Sequence, residues 1–244
     1  MQIKSEKKRF ESVNLKLRHV AALVILTVST LNVSAQKSAV EAAFSKLGVD
    51  ASILNPENVK LPEDYSFELK QSTTTAGKTN VIAANFDPAS PKEERWTVVS
   101  VNGKSPSKGD INSFRKDRAK EHPATKGDDA SYKIEKETAD QLVFSYKIEA
   151  TSLPKEAAFM KDCRIYMTVN LRTKKLEQMR TLNEKPVKIA MLTADKFELN
   201  SKVVLNADAK RYFPVNEELD MQAKFLGQSV SVQTVTAYSN YTKK

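Results

Sequence analysis

The chain has one cysteine, two histidines, one tryptophan and six glycines among 244 residues, and each scarcity closes a route. A lone Cys163 rules out an intramolecular disulfide, so the fold has to stand on its core. It falls in phase with Ile165, Met167 and Val169, which makes it a small buried apolar residue and not a nucleophile. A zinc site built on nitrogen and sulfur needs more ligands than His19, His122 and Cys163 offer. His122 lies in the polar stretch Lys120-Glu121-His122-Pro123, with no nucleophile-elbow sequence to pair it with a serine. Without a Gly-rich turn there is nothing to cradle a phosphate. The pairs Glu93-Glu94 and Asp128-Asp129 sit in hydrophilic connections, where a carboxyl stays solvated instead of being tuned for acid–base work. The expectation is a non-enzymatic protein with no metal and no cofactor.

Long apolar runs are almost as scarce. The one present, Val20 to Val33, follows Lys4, Lys7, Lys8, Arg9, Lys16 and Arg18 and is interrupted by Thr27, Ser29, Thr30 and Asn32. A run of about 14 residues is short for a bilayer span. Val33-Ser34-Ala35 ahead of Gln36 supplies the small residues that a signal peptidase accepts. This layout predicts a cleaved signal over residues 1–35 and a single mature domain over 36–244, exported to the periplasm. An uncleaved anchor is the competing reading, and secretion or membrane association remain the other destinations. No cysteine follows the run, so acylation as a lipoprotein is closed.

Losing the leader removes six Lys or Arg and two acids from totals of 39 and 30, which reduces the formal charge from +9 to +5. A spread charge of that size suits solubility, and it is not the clustered basic face of a nucleic-acid binder. The expected partners are a lipid or lipoprotein, or an envelope protein, with the chain itself a monomer.

Periodicity supplies the fold class. Val40, Ala43, Phe44 and Leu47 recur at helical spacing and end at Gly48, predicting a short amphipathic helix. From Tyr65 the period becomes two: Tyr65 to Gln71 and Asn80 to Phe86 form a hairpin around Ala76-Gly77-Lys78, and Trp96 to Val101 ends at the turn pair Asn102-Gly103. Ser107 to Asp110 makes a capping box for a charged surface helix over Ile111 to Lys120, expected to run into a mobile loop through Lys126 to Asp129. Beyond it, alternating segments start at Leu142, Cys163, Phe197, Leu219 and Val230, each with one dry and one wet face. Their connections are too short for crossover helices, which leaves a mainly β, antiparallel architecture of eight to eleven strands in a meander. Leu153 to Met160, opened by Pro154, is a candidate covering helix.

The segments Phe86-Asp87-Pro88 and Glu94-Arg95-Trp96 through Asn102-Gly103-Lys104, with the closing Ala237-Tyr238-Ser239-Asn240-Tyr241, resemble a family of exported bacterial proteins of unknown function. The resemblance implies a half-barrel similar to outer-membrane lipoprotein carriers (LolA/LolB-like): a curved antiparallel sheet, a helical lid and an apolar cavity. None of the carriers' functional residues can be matched by position. A ligand-binding cavity is expected at Arg95, Trp96, Phe144, Ile165, Met167, Phe197, Leu199, Met221 and Phe225, taking a lipid, acyl chain or lipidated peptide. Three readings compete with it: a structural or interaction protein of the cell envelope with a filled interior, a transmembrane β-barrel, and an enzyme working through carboxylates.

Overall fold

A computed structural model describes residues 36–118 and 125–244. The expected signal segment lies outside the described residues. The described residues open with helix α1 (residues 36–47), which buries Val40, Ala43 and Phe44 and closes at Gly48 with φ of +64°. Single-turn 3-10 segments, Ala51–Leu54 and Pro56–Val59, carry it to the sheet, each capped by an Asn or Asp side chain.

Eleven strands follow: β1 (Tyr65–Thr75), β2 (Lys78–Phe86), β3 (Trp96–Val101), β4 (Lys133–Glu137), β5 (Gln141–Tyr146), β6 (Cys163–Asn170), β7 (Lys175–Asn183), β8 (Val187–Ile189), β9 (Leu192–Asn206), β10 (Arg211–Phe225) and β11 (Gln228–Lys243). All pair antiparallel in one sheet of order β3-β2-β1-β11-β10-β9-β7-β6-β5-β4, with β8 beside β9. Among the described residues β3 and β4 do not pair, so this is an open sheet, antiparallel as the alternation predicts and unclosed as the resemblance implies. It departs from a plain meander at two places: β7 pairs with β9 past β8, and the last strand pairs with the first, Thr73 opposite Thr234. Register shifts at Ser66/Glu68, Ala83/Ala84, Thr168/Val169 and Pro214/Asn216 mark bulges, and each bends its strand. Pro214 has no amide to donate and sits at one of them.

The predicted hairpin turn is present, with Ala76 and Gly77 both left-handed, as are Asn102 and Gly103. Helix α2 (Lys108–Arg118) has its capping box: the Ser107 hydroxyl donates to Asp110 Oδ2 at 2.6 Å, and the Asp110 amide donates back to Ser107 Oγ at 3.2 Å. Hydrogen bonding holds Asp110 below its ordinary carboxylate value. The stretch Lys126 to Asp129 is not a free loop. The Glu149 amide donates to Lys126 O at 2.7 Å and the Asp128 amide to Lys147 O at 2.8 Å, so its backbone polar groups are taken up by the end of β5's extension.

Most core residues lie on one face, the inner face, in three clusters; Tyr65 and Phe213 pack on each other at 4.8 Å outside them. Under α1, Phe44 meets Phe144 edge-on at 5.3 Å beside Met167, Val169 and Leu176. Under α2, Phe114 packs on Trp96, Phe67 and Phe86. The 3-10 run Lys155–Asp162, found where a helix after Pro154 was expected, sets Phe159 on Phe197 beside Cys163, Ala194 and Met221. Among the described residues no helix is long and apolar enough to cross a membrane.

Candidate functional site: an amphipathic trough on the inner face

Between the flanks covered by α1 and α2, the inner face changes character. Cross-strand register places Asn80, Thr73, Thr234, Leu219, Leu199, Thr181 and Ile165 in one row from β2 to β6. The adjacent row runs Ile82, Gln71, Thr236, Glu217, Ser201, Met179 and Met167. Both are polar on β1 and β11; the first turns apolar at Leu219 of β10, and the second at Met179 of β7. Gln71, Thr73, Thr234, Glu217, Leu199 and Leu219 are half-exposed, whereas the corresponding positions under α1 are closed. The result is an amphipathic strip of the inner face, threonine-rich on one side and aliphatic on the other, called the trough below.

Glu217 is the hub of the polar wall. Tyr238 donates its hydroxyl to Glu217 Oε2 at 2.7 Å, and the Ser201 hydroxyl donates to Oε1 at 3.4 Å. Gln71 Nε2 donates to Thr236 Oγ1 at 3.3 Å, and the hydroxyls of Thr73 and Thr234 pair at 3.1 Å. Burial, and then the neighbouring Glu217 carboxylate, push the Tyr238 phenol far above its usual range, so it stays a donor. The arrangement offers a carboxylate and hydroxyls to a ligand's donors, beside a surface that favours hydrocarbon.

The aliphatic wall continues along the strands. Val232, Met221 and Phe197 lie in the next same-face row; Val230, Ala223, Ala194 and Val187 follow. The track reaches the hairpin tips, where Met191 is 75% and Leu226 is 88% exposed.

The nine residues expected at a cavity do not meet in one place. Phe197, Leu199, Met221 and Phe225 belong to the track and its tip end. Phe144, Ile165 and Met167 lie in the cluster that α1 closes. Trp96 is buried under α2, with the Arg118 guanidinium 5.4 Å from its ring. Arg95 ends the turn before β3, with its Nε buried and without a hydrogen-bond partner. Sequence reasoning missed Glu217, Tyr238, Gln71 and Thr73 as a group. The signal was there: each falls in phase with the dry face of its strand, a polar residue where the alternation calls for an apolar one. Among the described residues no group of three His, Cys, Asp or Glu is placed to hold a metal.

No protein-family model and no curated protein matches the sequence. Among solved structures, the chain is similar to a LolA superfamily protein from Nitrosomonas europaea: 11% sequence identity, 80% of this chain and 94% of that chain covered, TM-score 0.33.

Proposed function

We propose that the protein is a non-enzymatic carrier that holds an amphiphile, such as a lipid, an acyl chain or a lipidated peptide, in the inner-face trough, and that it works in the periplasm after export. The observation that carries this reading is the uncovered middle of the inner face. There the aliphatic track of Leu199, Leu219 and Val232 runs beside the Glu217–Tyr238 hub. A ligand with a hydrocarbon tail and a donor-bearing head matches both walls. Each tail CH₂ removed from water is worth roughly 0.8 kcal/mol, so a modest chain length outweighs the cost of ordering it.

A second reading, an envelope interaction protein with no small ligand, draws on the two flanks, where Phe144, Met167 and Phe67 are packed by the protein's own helices. Native mass spectrometry of protein purified without detergent separates the two. The expected result is an adduct that organic extraction removes and that Leu219→Asp, which sets a charge in the track, reduces about tenfold or more. A clean apo mass, unchanged after incubation with lipids and lipopeptides, overturns the carrier and supports the interaction protein.

A further inference from the structure

The outer face of the same sheet carries a depression of different chemistry. It measures about 460 Å³ and lies over β5, β6, β7, β9 and β10, on the opposite side of the strands from the trough. Register builds its floor as two rows of four: Tyr166, Arg180, Asn200 and Glu218, and beside them Thr168, Gln178, Lys202 and Asn216. Three inter-strand steps make each row roughly 14 Å long.

Three properties of this floor restrict what it takes. Its charges cancel: Arg180 pairs with Glu198 at 2.9 Å, and Lys202 is offset by Glu218. A balanced site gives no field for a nucleic acid or an anionic lipid head. Some of its polar groups are unspent. The phenol of Tyr166 and the side chains of Lys202, Asn216 and Glu218 make no hydrogen bond within the described residues, whereas Asn200 donates to Glu198 Oε1 at 3.0 Å and accepts from Gln178 Nε2 only at a long 3.5 Å. Carboxamides offer donor and acceptor together, which suits hydroxyls that are both. Finally, half-exposed Tyr166, Val143 and Leu182 put an aromatic ring and aliphatic carbon among these groups, a platform for a flat face of C–H bonds. A linear molecule with hydroxyls on its edges, C–H faces and no net charge fits all three.

We propose that this outer groove binds a neutral glycan strand, with a sugar ring on Tyr166 and its hydroxyls bridged by Gln178, Asn200 and Asn216. The site is independent of the trough, because residues facing opposite sides of a strand share no side-chain contact. The test is a titration of the full chain with chitotetraose and cellotetraose, followed by amide NMR. Shifts are expected on outward positions of β6, β7, β9 and β10, with Tyr166→Ala and Asn216→Ala each weakening binding about tenfold. Asn216 has no partner to lose, so its variant retains the fold. Leu219→Asp in the trough is expected to leave the titration unchanged. Absence of shifts with both sugars overturns the proposal, and so does binding that Tyr166→Ala and Asn216→Ala leave intact. Preference for an acidic polymer that salt abolishes overturns it as well.

Discussion

Glu217 is a carboxylate on a face otherwise built to exclude water, and its partners explain how it is held there. The Tyr238 phenol and the Ser201 hydroxyl satisfy its two oxygens, while half-exposure keeps part of its hydration. Cys163 shows the opposite solution: it is 1% exposed, it is treated as hydrocarbon, and burial followed by the nearby Asp162 and Glu184 pushes its thiol from 9.0 up to about 11. A group whose folded pKa is raised contributes stability in full below its unfolded value and loses it as pH rises towards the folded one. The urea midpoint is therefore expected to fall between pH 9.0 and about 11, and Cys163→Ala to flatten part of that fall. Tyr146, pushed by burial from 10.0 to about 12, extends the loss upward. A wild-type midpoint that holds constant through this window contradicts the assignment.

At the scale of elements, the covers decide which parts of the inner face are core and which are site. Helix α1 contributes Val40 and Phe44, both buried to 1% or less exposure, and Phe44 seals Phe144. Phe44→Ala is expected to cost about 3–5 kcal/mol in urea unfolding, through lost transfer energy and the cavity left behind. If α1 is only a lid, detached without loss to the sheet, the cost falls well below that range. Helix α2 acts similarly at the other flank: Arg115 Nε donates to Trp96 O at 2.9 Å and Arg118 lies over the Trp96 ring, so a highly charged helix is held by its few apolar residues and by its arginines. Neither cover spans the sheet: α2 shares its cluster with Tyr238 of β11, and between it and α1 the positions Thr234, Leu219 and Leu199 stay half-exposed.

For the molecule as a whole, the pairing of β1 with β11 is decisive. It joins residues as far apart as Tyr65 and Lys243 and makes one sheet of two hairpin systems. Trp96, the only tryptophan of the chain, sits in the β1 to β3 part and reports on it together with Phe114 of α2 and Tyr238 of β11 in the same cluster. Continuity of the ladder predicts that Trp96 fluorescence and far-UV circular dichroism unfold together with one midpoint. Separate midpoints would show that the β1–β11 seam yields first.

The strand alternation, the turn pairs Ala76-Gly77 and Asn102-Gly103 and the capping box at Ser107 were all legible in the sequence, because each depends on neighbours within a few residues. Burial of Cys163 and of the Leu142 and Cys163 faces followed from the same local rule. The pairing of β11 with β1 was not legible, since no local pattern distinguishes that partner from any other strand edge. Nor was the site. Trp96 and Phe144 look like cavity residues until α2 and α1 are placed on them, whereas Glu217, Thr73 and Gln71 look like lapses in a pattern until register sets them side by side. The sequence by itself determined which residues face inward, through the two-residue period of a strand. Only the tertiary structure decided which inward residues are sealed and which remain open to a ligand, because that depends on where the covering helices end along the sheet.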